Sequence, residues 1–176
     1  MGLKTRRIGA LRIEHLVLTL GLSLAAVPAG AQGASDLPGE CGSLANGYGP
    51  FDYNNPDDRQ TKWPIVEQNH FDGGVQRLAG HGKPGGPSML GGDIDYVLRA
   101  FPNHPGALYT MMRYKLTHTP LTEPKMRYSA ECYFLRAESF RPDDATVRAI
   151  HGHYLHKTGD DAGARGAEHH HRSRLP

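Results

Sequence analysis

The sequence predicts an all-α protein of helical hairpins behind a loop-rich N-terminal segment. Two observations carry the helical part: apolar residues recur at helical spacing from Asp93 onward, and prolines cut that pattern into short, separate runs. A third carries the rest, because 12 of the 22 Gly and 6 of the 13 Pro crowd into residues 37–92, where regular structure should be sparse. With 176 residues and 38% hydrophobic content, the chain has material for one domain with a thin core.

The first 31 residues follow a separate logic. Lys4, Arg6, Arg7 and Arg12 precede an apolar run from Leu16 to Val27, which ends at Pro28 and Ala29-Gly30-Ala31. Such a basic, apolar and small-residue order predicts a secretory signal peptide, residues 1–31, cleaved after Ala31, and hence a periplasmic or secreted product. The run is short against the ~20 apolar residues of a bilayer span; an uncleaved anchor would have to take in Glu14, His15 or the Pro28-Ala29-Gly30 break. A lipid anchor needs small residues before its cysteine, and Cys41 follows Gly39-Glu40. Removing the leader takes four of the 20 basic and one of the 18 acidic residues, leaving 16 against 17. That balance argues against nucleic acid as a partner and implies no membrane surface after signal removal.

Residues 32–92 read as a loop-rich segment packing on the helices. Turn signals recur at Leu37-Pro38-Gly39, Asn46-Gly47-Tyr48-Gly49-Pro50, Asn54-Asn55-Pro56-Asp57-Asp58 and Gly80 to Pro87, so most of the segment is excluded from helix interior. One short helix is expected over Gly74–Leu78. Tyr48, Phe51, Tyr53, Trp63 and Phe71 are expected as packing anchors, with a contact surface for carbohydrate or peptide as the alternative.

Four helices follow. Ile94, Val97, Leu98 and Phe101 define the first, stopped by Pro102 and Pro105; Leu108, Met111, Met112 and Leu116 define the second, over residues 107–117. The third runs from Tyr128 to Phe140 with Ala130, Tyr133, Phe134 and Ala137 on one face. The fourth starts after Asp143-Asp144, which suit an N-cap, and carries Val147, Ile150, Tyr154 and Leu155 up to a turn at Thr158-Gly159-Asp160. Asp93 and Asp95 read as charges favouring the positive end of the first helix.

Within this pattern, Ala130, Phe134, Ala137 and Pro142 reproduce the A-x3-F-x2-A-x4-P ending of the tetratricopeptide repeat, and the chain resembles that family. Val97, Ala100 and Pro105 keep the spacing of Phe134, Ala137 and Pro142, 37 residues earlier. Gly152 and Ala164 fall on small-residue positions of a third copy, giving about two and a half repeats over residues 93–164. No Trp occupies the first helices, and the third copy runs into the His-rich residues 165–176, which read as a disordered tail, its second helix missing or replaced. Residues 41–160 are also similar to a group of small exported proteobacterial repeat proteins that carry a stretch like Gly91 to His104. The resemblance implies stacked hairpins whose first helices line a concave groove for a protein or peptide partner. Arg113 and Arg148 are the groove residues it suggests.

Candidate chemistry is thin. His151, His153 and His156, near His169-His170-His171, are the one metal-like cluster and support an alternative reading as a periplasmic metal-binding protein. Ser43, Ser88, Ser129 and Ser139 lack a G-x-S-x-G setting, Cys132 lies mid-helix without an activating neighbour, and Lys83 precedes Pro84 rather than the Ser or Thr of a phosphate loop. The expectation is therefore an interaction or assembly module, no enzyme, with no cofactor. Cys41 and Cys132 admit two readings, a single disulfide tying the N-terminal segment to the helices, or two separate thiols.

Overall fold

A four-residue turn that occurs twice organises the molecule. The computed structural model describes Gly2 and residues 37–80, 90–117 and 126–172, with side chains through Ala167. The expected signal peptide lies outside the described residues but for Gly2, as do residues 81–89 and the Pro120 to Pro124 connection. Eight α-helices are described: α1 Pro56–Thr61, α2 Trp63–His70, α3 Gly73–Gln76, α4 Leu90–Ala100, α5 Pro105–Thr117, α6 Ala130–Phe140, α7 Ala145–Thr158 and α8 Asp161–Arg172.

The turn joins α4 to α5 and α6 to α7. In the first, Phe101 N–H donates to Val97 O, His104 N–H to Phe101 O and Leu108 N–H to His104 O. Arg141 to Ala137, Asp144 to Arg141 and Arg148 to Asp144 repeat these bonds one for one. Pro102 and Pro142 hold the second turn position in each. The structural repeat is therefore 40 residues, which corrects the 37-residue register matching Val97, Ala100 and Pro105 to Phe134, Ala137 and Pro142. Pro105 is instead the first residue of α5, where its missing N–H leaves no bond unmade. Three residues are close to one helical turn, so the apolar stripe survived the misalignment.

Side chains start most of the helices, though not α2. Asp144 Oδ1 accepts from Thr146 N–H and Val147 N–H at 3.0 and 3.1 Å, and Ser129 Oγ accepts from Cys132 N–H. At α5 the cap is an imidazole: His104 Nδ1 accepts from Ala107 N–H at 3.0 Å. Gly159, with φ 85°, closes α7 in the left-handed conformation that favours glycine.

From α3 onward each helix packs on its neighbours in sequence, and α7 also lies against α5. Phe134, fully buried, stacks on His151 at 4.6 Å and lies 5.4 Å from Tyr154, filling the space between α6 and α7. Truncating it to Ala would cost ~3–5 kcal/mol, the usual loss for a buried aromatic.

Two expectations change here. The N-terminal segment carries three helices rather than one, because Asn55 Oδ1 caps α1 from outside and Pro56 sits at its start, where proline is no breaker. It covers the α4 end of the stack: α2 packs on α4, and Trp63, Phe71 and Tyr53 close around Phe101 and His104. At the other end the expected tail at 165–176 is helical to Arg172, as α8, so the last hairpin does have its second helix. Asp160 Oδ1 starts it by accepting from Gly163 N–H at 2.9 Å.

Candidate functional site

With the repeat at 40 residues, α5 and α7 superpose position by position. Ala107 and Val147, Met111 and His151, Met112 and Gly152, and Tyr114 and Tyr154 are buried in both. Tyr109 and Ala149, Leu116 and His156, and Thr117 and Lys157 are exposed in both; Arg113 is half-buried where His153 is exposed. Spacing of 3 and 4 puts each outward set on one face of its helix. Since α5 and α7 are neighbours, the two stripes stand on adjacent helices, and Tyr109 at 47% and Leu116 at 42% exposure are two of the three large hydrophobic side chains left exposed among the described residues.

Arg113 is fixed at the edge of this surface. Its Nη1 donates to the Gln76 carbonyl at 3.2 Å, and its guanidinium lies 6.0 Å from the centre of the Tyr109 ring. At the far end, Ala149, Gly152, His153 and His156 of α7 face Asp161, Ala164 and Arg165 of α8 across an open cleft of about 360 Å³. His156 Nδ1 is 2.8 Å from Asp161 Oδ1.

The other residues singled out from sequence divide clearly. Val97, Ala100, Ala130, Phe134 and Ala137 are core. Gly152 meets α8: a Cβ there would lie 3.6 Å from Ala164 O and 3.8 Å from Ala167 Cβ. Arg148 occupies the position of buried Leu108, not the outward stripe; it turns back to the Pro142 carbonyl, and its Nε is buried without a partner among the described residues. It is therefore not placed with Arg113. Leu116, assigned from sequence to the buried face, belongs to the exposed one. Tyr109 shares that exposed face, at helical spacing from Arg113 and Leu116.

Asp93 and Asp95 are buried partners rather than helix-end charges. Asp93 Oδ1 lies 2.9 Å from His70 Nδ1. Asp95 accepts from Tyr133 Oη at 2.6 Å and Arg99 Nε at 2.9 Å. Burial, then the Asp95 carboxylate, pushes the Tyr133 phenol far above its ordinary value, so it stays a donor. Burial likewise raises Tyr154, to about 12, helped by its bond to Glu131.

Among the metal candidates, His151 Nδ1 is 2.8 Å from Glu138 Oε1 and its ring is stacked on Phe134. His153 and His156 project outward, and among the described residues no group of three His, Cys, Asp or Glu side chains converges as a metal site. The side chains of His169 to His171 lie outside the described residues. Cys41 and Cys132 are bonded to each other, with Cα atoms 4.9 Å apart; Arg136 Nη1 clamps the same junction by donating to Cys41 O and Ser43 O, both at 2.8 Å. Ser129 is engaged as a helix cap.

Among the described residues no helix is long and apolar enough to cross a membrane. The chain matches no protein-family model, no curated protein and no solved structure.

Proposed function

We propose that the chain is an exported interaction module of the tetratricopeptide-repeat type, without catalytic activity, whose outward face of α5 and α7 holds a segment of another protein. The observation that carries this reading is the pairing of Tyr109 and Leu116 on one exposed stripe of an otherwise well-packed stack. The cross-link between Cys41 and Cys132 supports export, since such bonds persist in oxidising compartments.

Site-specific photocrosslinking tests the reading. A photoreactive residue at Tyr109 is expected to capture a discrete partner in intact cells, and one at Ile65, more exposed but on α2, is expected to capture none of it. Capture from both positions alike, or from neither, would defeat the assignment of the α5 and α7 face.

A further inference from the structure

The charge on the two first helices is one-sided. None of the 13 residues of α5 or the 14 of α7 is Asp or Glu, whereas they carry Arg113, Lys115, Arg148 and Lys157. The short helix α3, which borders α5 and supplies the Gln76 carbonyl to Arg113, has no acid either and is followed by exposed Arg77. Acids are not scarce in the chain, which holds 18. Those on the second helices α4 and α6 are engaged internally: Asp93 with His70, Asp95 with Arg99 and Tyr133, Glu131 with Tyr154, Glu138 with His151.

The acids of α6 thus meet the inward side of α7 and leave the outward side uncompensated. On that outward side stand Arg113, His153 and Lys157, interleaved with Tyr109 and Leu116. At the α8 end, Asp161 lines the cleft beside His153, and it is paired with His156. Among the described residues the α5 and α7 stripes themselves carry apolar side chains and cations but no acid, and such a surface favours a ligand of opposite charge and repels basic segments.

Resting on the reading of α5 and α7 as the binding face, we infer that its occupant is an acidic peptide segment, in which carboxylates meet Arg113 and Lys157 while an apolar side chain meets Tyr109 and Leu116. Arg113 is suited to this. Its bond to the Gln76 carbonyl uses one guanidinium nitrogen and holds the plane beside Tyr109, so a carboxylate finds an oriented fork instead of a freely rotating chain.

Fluorescence anisotropy on the oxidised full-length mature protein tests the inference with two labelled peptides of alternating sequence, glutamate with leucine and glutamine with leucine. The glutamate peptide is expected to bind about tenfold more tightly, an advantage that shrinks in high salt as surface charges are screened. Arg113→Glu with Lys157→Glu should erase that preference, and Tyr109→Ala should weaken both peptides. A double reversal of matched charge beside α1, Arg59→Glu with Lys62→Glu, should leave the preference in place, and circular dichroism establishes that each variant is folded. Equal binding of both peptides, lost in Tyr109→Ala, would overturn the acidic specificity and leave the binding face standing. Binding of neither peptide, or binding insensitive to Tyr109→Ala, would overturn both.

Discussion

Tyr133 of α6 donates its hydroxyl to the Asp95 carboxylate of α4 at 2.6 Å, linking the second helices of successive hairpins across 38 residues. Asp95 is 3% exposed, and Arg99 Nε and Arg127 N–H complete its shell. Because the acceptor is a buried carboxylate, Tyr133→Phe should lower the free energy of unfolding by about 1.5–3 kcal/mol. Urea denaturation of the single variants and of the double variant with Asp95→Asn should give strongly non-additive losses. A Tyr133→Phe loss within about 0.5 kcal/mol, typical of surface changes, would remove this bond from the stabilising set.

His104 makes stability pH-dependent. Its ring is enclosed by Tyr53, Trp63 and Phe71, its Nδ1 accepts the Ala107 N–H, and burial pushes its pKa from 6.5 down to about 3. The unfolded chain therefore takes up a proton near pH 6.5 that the folded chain refuses until about pH 3. The stabilisation is complete above the unfolded value and declines as pH falls through this window. Between pH 7.5 and pH 5 the loss from this one group should be about 2 kcal/mol. Denaturation midpoints of the wild type and His104→Gln across that range check it: the variant's curve should be flatter, and parallel curves would dismiss the assignment.

The Cys41–Cys132 bond closes a loop of 91 residues, which in the chain-entropy model is worth roughly 4–5 kcal/mol. Reduction should lower stability by that order and release the segment around Cys41 first, since only the Arg136 bonds and the packing of residues 39–41 on α6, with no covalent tie, then hold it. Hydrogen exchange with and without reductant should show residues 38–45 losing protection before α6 does. Simultaneous loss across the stack would indicate that the tether supports the whole domain.

Gly152 of α7 faces Ala164 and Ala167 of α8. A Cβ at this position meets ordinary van der Waals contact at 3.6 and 3.8 Å. Gly152→Ala should therefore be tolerated and gain up to ~1 kcal/mol from helix propensity. Gly152→Leu should drive α8 away and cost about 1–3 kcal/mol. Thermal melts of the pair should move in opposite directions; a stable Leu variant would mean that the two helices do not rely on this contact.

Sequence by itself determined what neighbouring residues decide. Helical spacing in α4 to α7, the Asp144 cap and the Gly159 stop are set within a turn or two of chain, so hairpins of an all-α fold were legible. The N-terminal helices were obscured because Pro56 is a breaker inside a helix and a starter at its edge, and only the Asn55 cap tells which. The 37-residue register failed for a related reason: an offset of about one helical turn leaves the apolar face nearly unchanged, and backbone bonds of the two turns were needed to set 40.

Tertiary structure alone decided the rest, because it depends on pairs far apart in the chain. Tyr133 with Asp95, Arg136 with Cys41 and Cys132 with Cys41 lie 38 to 95 positions apart, and no local pattern specifies such partners. The same holds for the candidate site. Arg113, Arg148, Tyr109 and Leu116 all sit on amphipathic helices, but packing of α7 on α5 and α6 turned Arg148 back to the Pro142 carbonyl and left Tyr109, Arg113 and Leu116 facing outward. A helix has several faces, and which one stays open is settled by the neighbours that cover the others.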